Sequence, residues 1–141
     1  MKYVPMGRSG LKVSQLALGC GFRGVTDVDE METVINHAID HGINFIDCAN
    51  TYRGGVAEDV LGRVLARGRD DLVITTKVTS LTGPGPNDIG SSRYHIMREI
   101  DRSLKSLQTD HVDIYIIHWR DHTTPMEETV HTMTDVVRSG K

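Results

Sequence analysis

The chain has 141 residues, of which 38% are hydrophobic and 25% charged, with a formal net charge of −3. That is the composition of an ordinary globular protein able to bury one core, and its acidic balance offers no basic face for nucleic acid or an anionic membrane, so the expected partner is a small molecule. No apolar signal core opens the chain and no run of about 18 apolar residues occurs in it, so a cytoplasmic protein is expected, with nothing in the composition to set its oligomeric state.

Residues 1 to 14 carry Tyr3, Val4 and Met6 before Gly7 and Gly10, and Leu11 and Val13 after them, the pattern of a hairpin. Leu16-Ala17-Leu18 is a short strand that runs into the glycine-rich loop Gly19 to Gly24. Thr26 and Asp29 have the spacing of a capping box, and Met31, Val34, Ile35, Ala38 and Ile39 trace one helix face that Gly42 closes. Ile43, Phe45 and Ile46 form a second strand ending on Asp47, with Tyr52 five residues on. Ala57, Val60, Leu61, Val64 and Leu65 then recur at helical spacing, and Gly68 ends that helix.

The third strand, Leu72 to Thr76, is β-branched after its first residue and finishes on Lys77. The long loop from Val78 to Ser92 follows, a length that in compact domains goes with function or mobility. Ser92 caps a helix with Met97, Ile100, Leu104 and Leu107 on its apolar face, while Arg98, Glu99, Asp101, Arg102 and Lys105 form a solvated face. The fourth strand, Val112 to Ile117, ends on His118-Trp119, and a last helix from about Pro125 aligns Met126, Val130, Met133 and Val137 before Gly140. Cys20 and Cys48 have neither zinc nor redox spacing and read as reduced, semi-buried thiols.

Four strand-helix units require right-handed crossovers between neighbouring parallel strands, so the fold is α/β. Asp47, Lys77 and His118 then meet at the C-terminal edge of one sheet, with Tyr52 above them. Taken singly, a charged group at a strand end is usually just solvated, and a tyrosine is usually packed. Four such groups on one edge have no packing reason to be there. A phenol beside an ammonium becomes a better proton donor, a carboxylate holds that ammonium in place, and an imidazole orients a substrate oxygen. The set suits an oxygen that is gaining electrons, and since side chains supply no hydride, a nicotinamide cofactor is implied.

Asn44-Phe45-Ile46-Asp47 with Thr51-Tyr52 and Glu58 to Gly62, then Thr76-Lys77, then Asp113-Ile114-Tyr115 with His118, resemble the aldo-keto reductase superfamily, and the likeness runs over nearly the whole chain. The resemblance implies a single domain over 1–141: an N-terminal β-hairpin over 1–14, then the first four strand-helix units of a (β/α)8 TIM barrel over 15–141. It implies a catalytic tetrad of Asp47, Tyr52, Lys77 and His118 with Tyr52 as general acid. Gly21 and Phe22 would lie near the nicotinamide, with Asp47 also in the cofactor set, and Trp119 would line the substrate pocket with His118. The cofactor would be NADPH, with NADH not excluded, and the substrate a small carbonyl compound. The 87–93 run and the Leu107 to Asp110 turn resemble the bacterial, potassium-channel β-subunit-like branch. Cys48 stands where threonine is common, Arg53 where glycine is common and Ala57 where serine often precedes the glutamate; Arg53 would alter the pocket mouth, and none of the three removes a catalytic group.

A complete barrel of this kind needs about 250 residues, so an incomplete form of a longer reductase is expected, with a half-barrel that dimerises as the rarer case. Gly19, Gly21 and Gly24 also form Gly-x-Gly-x-x-Gly after a strand, so a truncated dinucleotide-binding domain with Asp47 on a ribose is a structural alternative. The one-turn pairs His37 with His41 and His118 with His122 lack a third ligand, so no metal is expected. The functional alternative is a cofactor-sensing or partner-binding regulatory module of reductase-like fold with little turnover.

Overall fold

Short apolar runs separated by helix-period segments leave the chain little choice but to alternate, and in the computed structural model, which describes residues 1–141, it does so four times. Before the first unit, β1 (Tyr3–Pro5) and β2 (Lys12–Ser14) pair antiparallel. Their hairpin is fastened to the N-terminal side of the sheet: the Tyr3 hydroxyl donates to the Gly42 carbonyl at 2.9 Å, and the Asn44 side chain accepts from Ser14 N–H at 2.7 Å and donates to the Lys12 carbonyl at 3.1 Å. The hairpin therefore closes the end of the sheet opposite the tips that carry Asp47, Lys77 and His118.

Four parallel strands follow in the spatial order β3 (Ala17–Gly19), β4 (Phe45–Asp47), β5 (Val73–Val78) and β6 (Ile114–Ile117). Gly19 pairs with Asp47, Asp47 with Thr75, and Lys77 with Ile116. The crossovers are α1 (Val28–Asp40), α2 (Val56–Leu65) and α3 (Arg93–Leu107), and α4 (Met126–Arg138) follows β6. Each strand lies beside its predecessor, so right-handed crossovers place the helices on one face and the sheet winds in one direction, as in the wall of a barrel. A doubly wound dinucleotide domain places its first strand inside the sheet and reverses direction there. Here the first strand of the sheet is an edge, which removes the dinucleotide-binding reading of Gly19, Gly21 and Gly24. None of the helices is long and apolar enough to cross a membrane.

The core joins Met31 and Ile35 of α1, Val60, Leu61 and Val64 of α2, Ile96, Ile100 and Leu107 of α3, and Ile46 and Ile74 of the sheet. Several expectations need correction. The cap of α1 is Asp27, whose carboxylate accepts from Asp29 N–H at 2.9 Å, rather than Thr26, because a carboxylate at this position also meets the positive end of the helix dipole. Val34 of α1 is exposed, and Ile96 replaces Met97 at the centre of the α3 face, Met97 and Leu104 being only partly buried. Ser92 caps α3 as expected, accepting from His95 N–H at 3.3 Å.

The solvated face of α3 also has an exception. Glu99 is 2% exposed, gripped by Arg98 Nε at 3.2 Å, Arg102 at 2.8 Å and Asn50 Nδ2 at 3.2 Å. A carboxylate one step from the apolar stripe is driven inward when donors from two directions satisfy it. The α4 stripe departs the other way. Thr129, Thr132 and Val136 are buried, whereas Met126, Val130 and Val137 are exposed. Both cysteines are fully buried rather than semi-buried; the neighbouring Cys20 thiol and burial push the Cys48 thiol well up, which keeps it protonated.

Candidate active site

Three parallel strands in register deliver three polar side chains to one rim. β4 ends on Asp47, β5 carries Lys77 at its penultimate position, and β6 leads into His118, whose N–H bonds the Val78 carbonyl at 2.9 Å. Tyr52 opens the 3-10 turn Tyr52–Gly55 and is held over the same rim by its N–H to the Ala49 carbonyl at 3.0 Å. Lys77 is the hub. Its Nζ lies 2.8 and 2.9 Å from the two Asp47 oxygens, donates to the Cys48 carbonyl at 2.7 Å and donates to the Tyr52 hydroxyl oxygen at 2.9 Å. All three ammonium hydrogens are thereby used. Burial pulls the Lys77 pKa down, but the hydrogen bonds to Asp47 and Tyr52 outweigh it, so the amine sits above the usual lysine value and is charged.

His118 faces Tyr52 edge-on with ring centroids 6.0 Å apart, and stacks on Trp119 at 5.1 Å and 21°. Its Nδ1 is 3.3 Å from Ser80 Oγ. Burial and the Lys77 charge lower its pKa, against a smaller upward pull from Asp47, so the imidazole is neutral at pH 7. Behind Lys77, Thr76 Oγ1 donates to Glu58 at 2.5 Å, and burial raises the Glu58 carboxyl above the ordinary value.

Asp47 and Tyr52 line a cavity of about 510 Å3 together with Gly19, Gly21, Phe22, Arg23, Thr51 and Arg53. A Cβ built on Gly19 or Gly21 would meet nothing within 4 Å, so the backbone there faces open space, and Phe22 supplies an aromatic wall. Two aromatic rings, Phe22 and Tyr52, border this side. On the other side of the tetrad, Trp119 is 64% exposed at a cleft of about 720 Å3 between the long loop after β5 and the 119–124 segment. The structure thus gathers Asp47, Tyr52, Lys77 and His118, with Gly21 and Phe22 on one flank and Trp119 on the other. No group of three or more His, Cys, Asp or Glu side chains is arranged to hold a metal ion, and His37 and His41 stack at 4.1 Å on an exposed helix face.

Sequence reasoning missed three groups that organise the site, two of them side chains. Ser80 contacts His118, and Thr79 Oγ1 accepts from Trp119 N–H at 2.9 Å from a backbone with φ +100, which a β-branched residue rarely adopts. No spacing rule marks either; only their nearness to Lys77 in the chain was a signal. The Cys48 carbonyl, being main chain, carried no signal at all.

Residues 15–141 match the model of the aldo/keto reductase family. The chain belongs to this family. It is 44% identical over 145 residues to a probable voltage-gated potassium channel subunit beta of Arabidopsis thaliana, covering 99% of this chain and 44% of that protein. Similar likenesses reach the uncharacterized oxidoreductase YrpG of Bacillus subtilis, 42% identical across 100% of this chain and 47% of that one, and L-glyceraldehyde 3-phosphate reductase of Escherichia coli, 38% identical across 100% and 43%. Among solved structures, the thermostable aldo-keto reductase Tm1743 in complex with the inhibitor epalrestat superposes with a TM-score of 0.85 at 35% identity, covering 99% of this chain and 51% of that one. This aldo/keto reductase chain spans about half the length, or less, of the relatives it matches, and its hairpin and four parallel strand-helix units correspond to the same portion of their barrel.

Proposed function

We propose that this family member is a NAD(P)H-dependent oxidoreductase of the cytoplasm that reduces an aldehyde or ketone to an alcohol, with Tyr52 as general acid, and that its 141 residues supply the first four strand-helix units of the catalytic barrel. One observation carries the reading. Lys77, locked by Asp47 and the Cys48 carbonyl, donates to the Tyr52 oxygen at 2.9 Å. The oxygen accepts that bond, so the phenol's own hydrogen is free for a second partner in the cavity. NADPH is the favoured cofactor, with NADH as the other candidate, and when bound it supplies the hydride; Gly21, Phe22 and Asp47 would hold its nicotinamide end.

The chain's own groups do the rest. As the carbonyl carbon gains hydride, its oxygen gains negative charge and takes the Tyr52 proton, and the tyrosinate left behind is stabilised by the Lys77 ammonium. Neutral His118 lies with Nδ1 3.3 Å from Ser80 Oγ; in the tautomer that accepts from Ser80 there, its hydrogen is on Nε2, where it donates to the same substrate oxygen and fixes its direction. Trp119, stacked on His118, gives the substrate an apolar wall.

The test is NADPH oxidation with a panel of aldehydes and ketones by wild type and Tyr52→Phe. Loss of turnover by about 100-fold or more with unaltered cofactor affinity is expected, since general acid catalysis contributes on that order; retained turnover sinks the proton-donor role. The second reading, a cofactor-sensing or partner-binding module, draws its support from the plant relative's description as a channel subunit. It predicts tight cofactor binding with no appreciable turnover in the wild type.

A further inference from the structure

The chain is acidic overall, with a formal charge of −3, yet the rim of its catalytic cavity is cationic. Arg67, Arg69, Arg93, Arg98 and Arg102 are each tied to a carboxylate at 2.6 to 2.8 Å. Arg8, Arg23, Arg53, Arg63, Arg120 and Arg138 make no ion pair, and of these Arg23 and Arg53 line the cavity with Tyr52 and Asp47. The one carboxylate lining that cavity, Asp47, is neutralised by Lys77 at 2.8 Å. Two arginines of the cavity lining therefore carry a charge that no carboxylate of the protein balances.

Arg53 adds a conformational observation. It follows the proposed proton donor directly and stands at φ 55, ψ 32, the first of three successive left-handed residues with Gly54 at φ 67 and Gly55 at φ 100. Glycine is the stabler residue in that backbone, and a side chain with no protein partner that is kept at a strained position beside a reactive group points to a ligand.

We infer that Arg53, with Arg23 beside it, reads a negatively charged group on the carbonyl substrate, a carboxylate or a phosphate, and so sets the enzyme's preference for anionic over neutral aldehydes and ketones. The inference rests on the reductase reading and names the substrate class of the same site. Guanidinium suits both anions because its paired N–H groups match two oxygens at once. With the site largely shielded by the tetrad on one side and open on the other, the attraction acts mainly on substrate binding and weakens with salt.

The experiment uses the full chain with NADPH and two matched pairs: 4-carboxybenzaldehyde against methyl 4-formylbenzoate, and glyceraldehyde 3-phosphate against glyceraldehyde. Wild type is expected to favour the anion in each pair, through KM, and the pair with the larger ratio tells carboxylate from phosphate. Arg53→Gln is expected to lower the anion-to-neutral ratio of kcat/KM by about tenfold or more, Arg53→Lys to keep part of it, and Arg53→Gly to lower it while raising Tm by a few degrees. A ratio unaltered in Arg53→Gln overturns the inference. So does a weakened NADPH affinity with that ratio unaltered, because the arginines would then read the cofactor's phosphates. If the 141-residue chain turns over no carbonyl, its supplying only four units of the barrel accounts for that as well as failure of the reductase reading does, and calorimetric binding of 4-carboxybenzaldehyde and its methyl ester decides the inference in either case: a preference for the acid that Arg53→Gln removes supports it, and equal or absent binding of the two overturns it.

Discussion

Lys77 donates three hydrogen bonds and His118 one side of a stacked pair, and the electrical consequence of one reaches the other. His118 is lowered by burial first and by the Lys77 charge second, with Asp47 pulling the other way. Trp119 is the only tryptophan in the chain and stacks on that imidazole at 5.1 Å, so its fluorescence reports the protonation of His118. Emission is expected to stay level as pH falls to the ordinary histidine value of 6.5 and to be quenched only below it, with the response gone in His118→Gln; a midpoint above 6.5 contradicts the site's electrostatics. The same group makes a stability statement. A histidine whose folded pKa is lowered binds its proton less readily when folded, so its neutral form stabilises the fold above 6.5 and that contribution is lost as pH falls toward the folded value. Glu58 runs opposite, since burial raises it from 4.5 and its contribution is lost as pH rises. The His118→Gln comparison, by thermal melting against pH, separates the two.

Among the helices, α2 and α3 are bound most closely, and a glycine allows it. A Cβ on Gly62 would overlap the Ser106 carbonyl and the Leu107 backbone of α3, which side-chain motion cannot relieve. In an exposed helix, Gly→Ala stabilises by about 1 kcal/mol. Gly62→Ala is instead expected to destabilise by about 2 kcal/mol, read as a lowered urea midpoint, because overpacking outweighs propensity; a raised midpoint would show that the helices are free to part. Element boundaries were largely legible beforehand. Ser92 caps α3, Gly42 turns the chain after α1 at φ +86, and β5 spans a β-branched run. Glu99 was not legible, because a helix-period count sorts residues into two faces and cannot know that Asn50, from the loop after β4, and two arginines converge on one boundary position.

The whole molecule presents a four-stranded parallel sheet with β3 and β6 as open edges, and beside β6 the apolar flank of α4, with Met126 59%, Val130 53% and Val137 75% exposed. Unpaired strand edges beside an apolar stripe invite association. The 141-residue chain by itself is expected to self-associate at micromolar concentration in sedimentation velocity, and Val130→Glu with Val137→Lys to shift it toward monomer. A wild-type chain that sediments as a monomer would mean that this surface is tolerated in water.

The order of strands and helices and the meeting of Asp47, Lys77 and His118 at one sheet edge were set by sequence alone, because hydrophobic period is a local property and parallel strands share one polarity. The three-bond anchoring of Lys77 by Asp47, the Cys48 carbonyl and Tyr52 was not. Nor was the unpaired state of Arg23 and Arg53, or the outward turn of the α4 stripe. Those depend on which groups from distant parts of the chain arrive within 3 Å of one another, and that is decided only when the strands come into register.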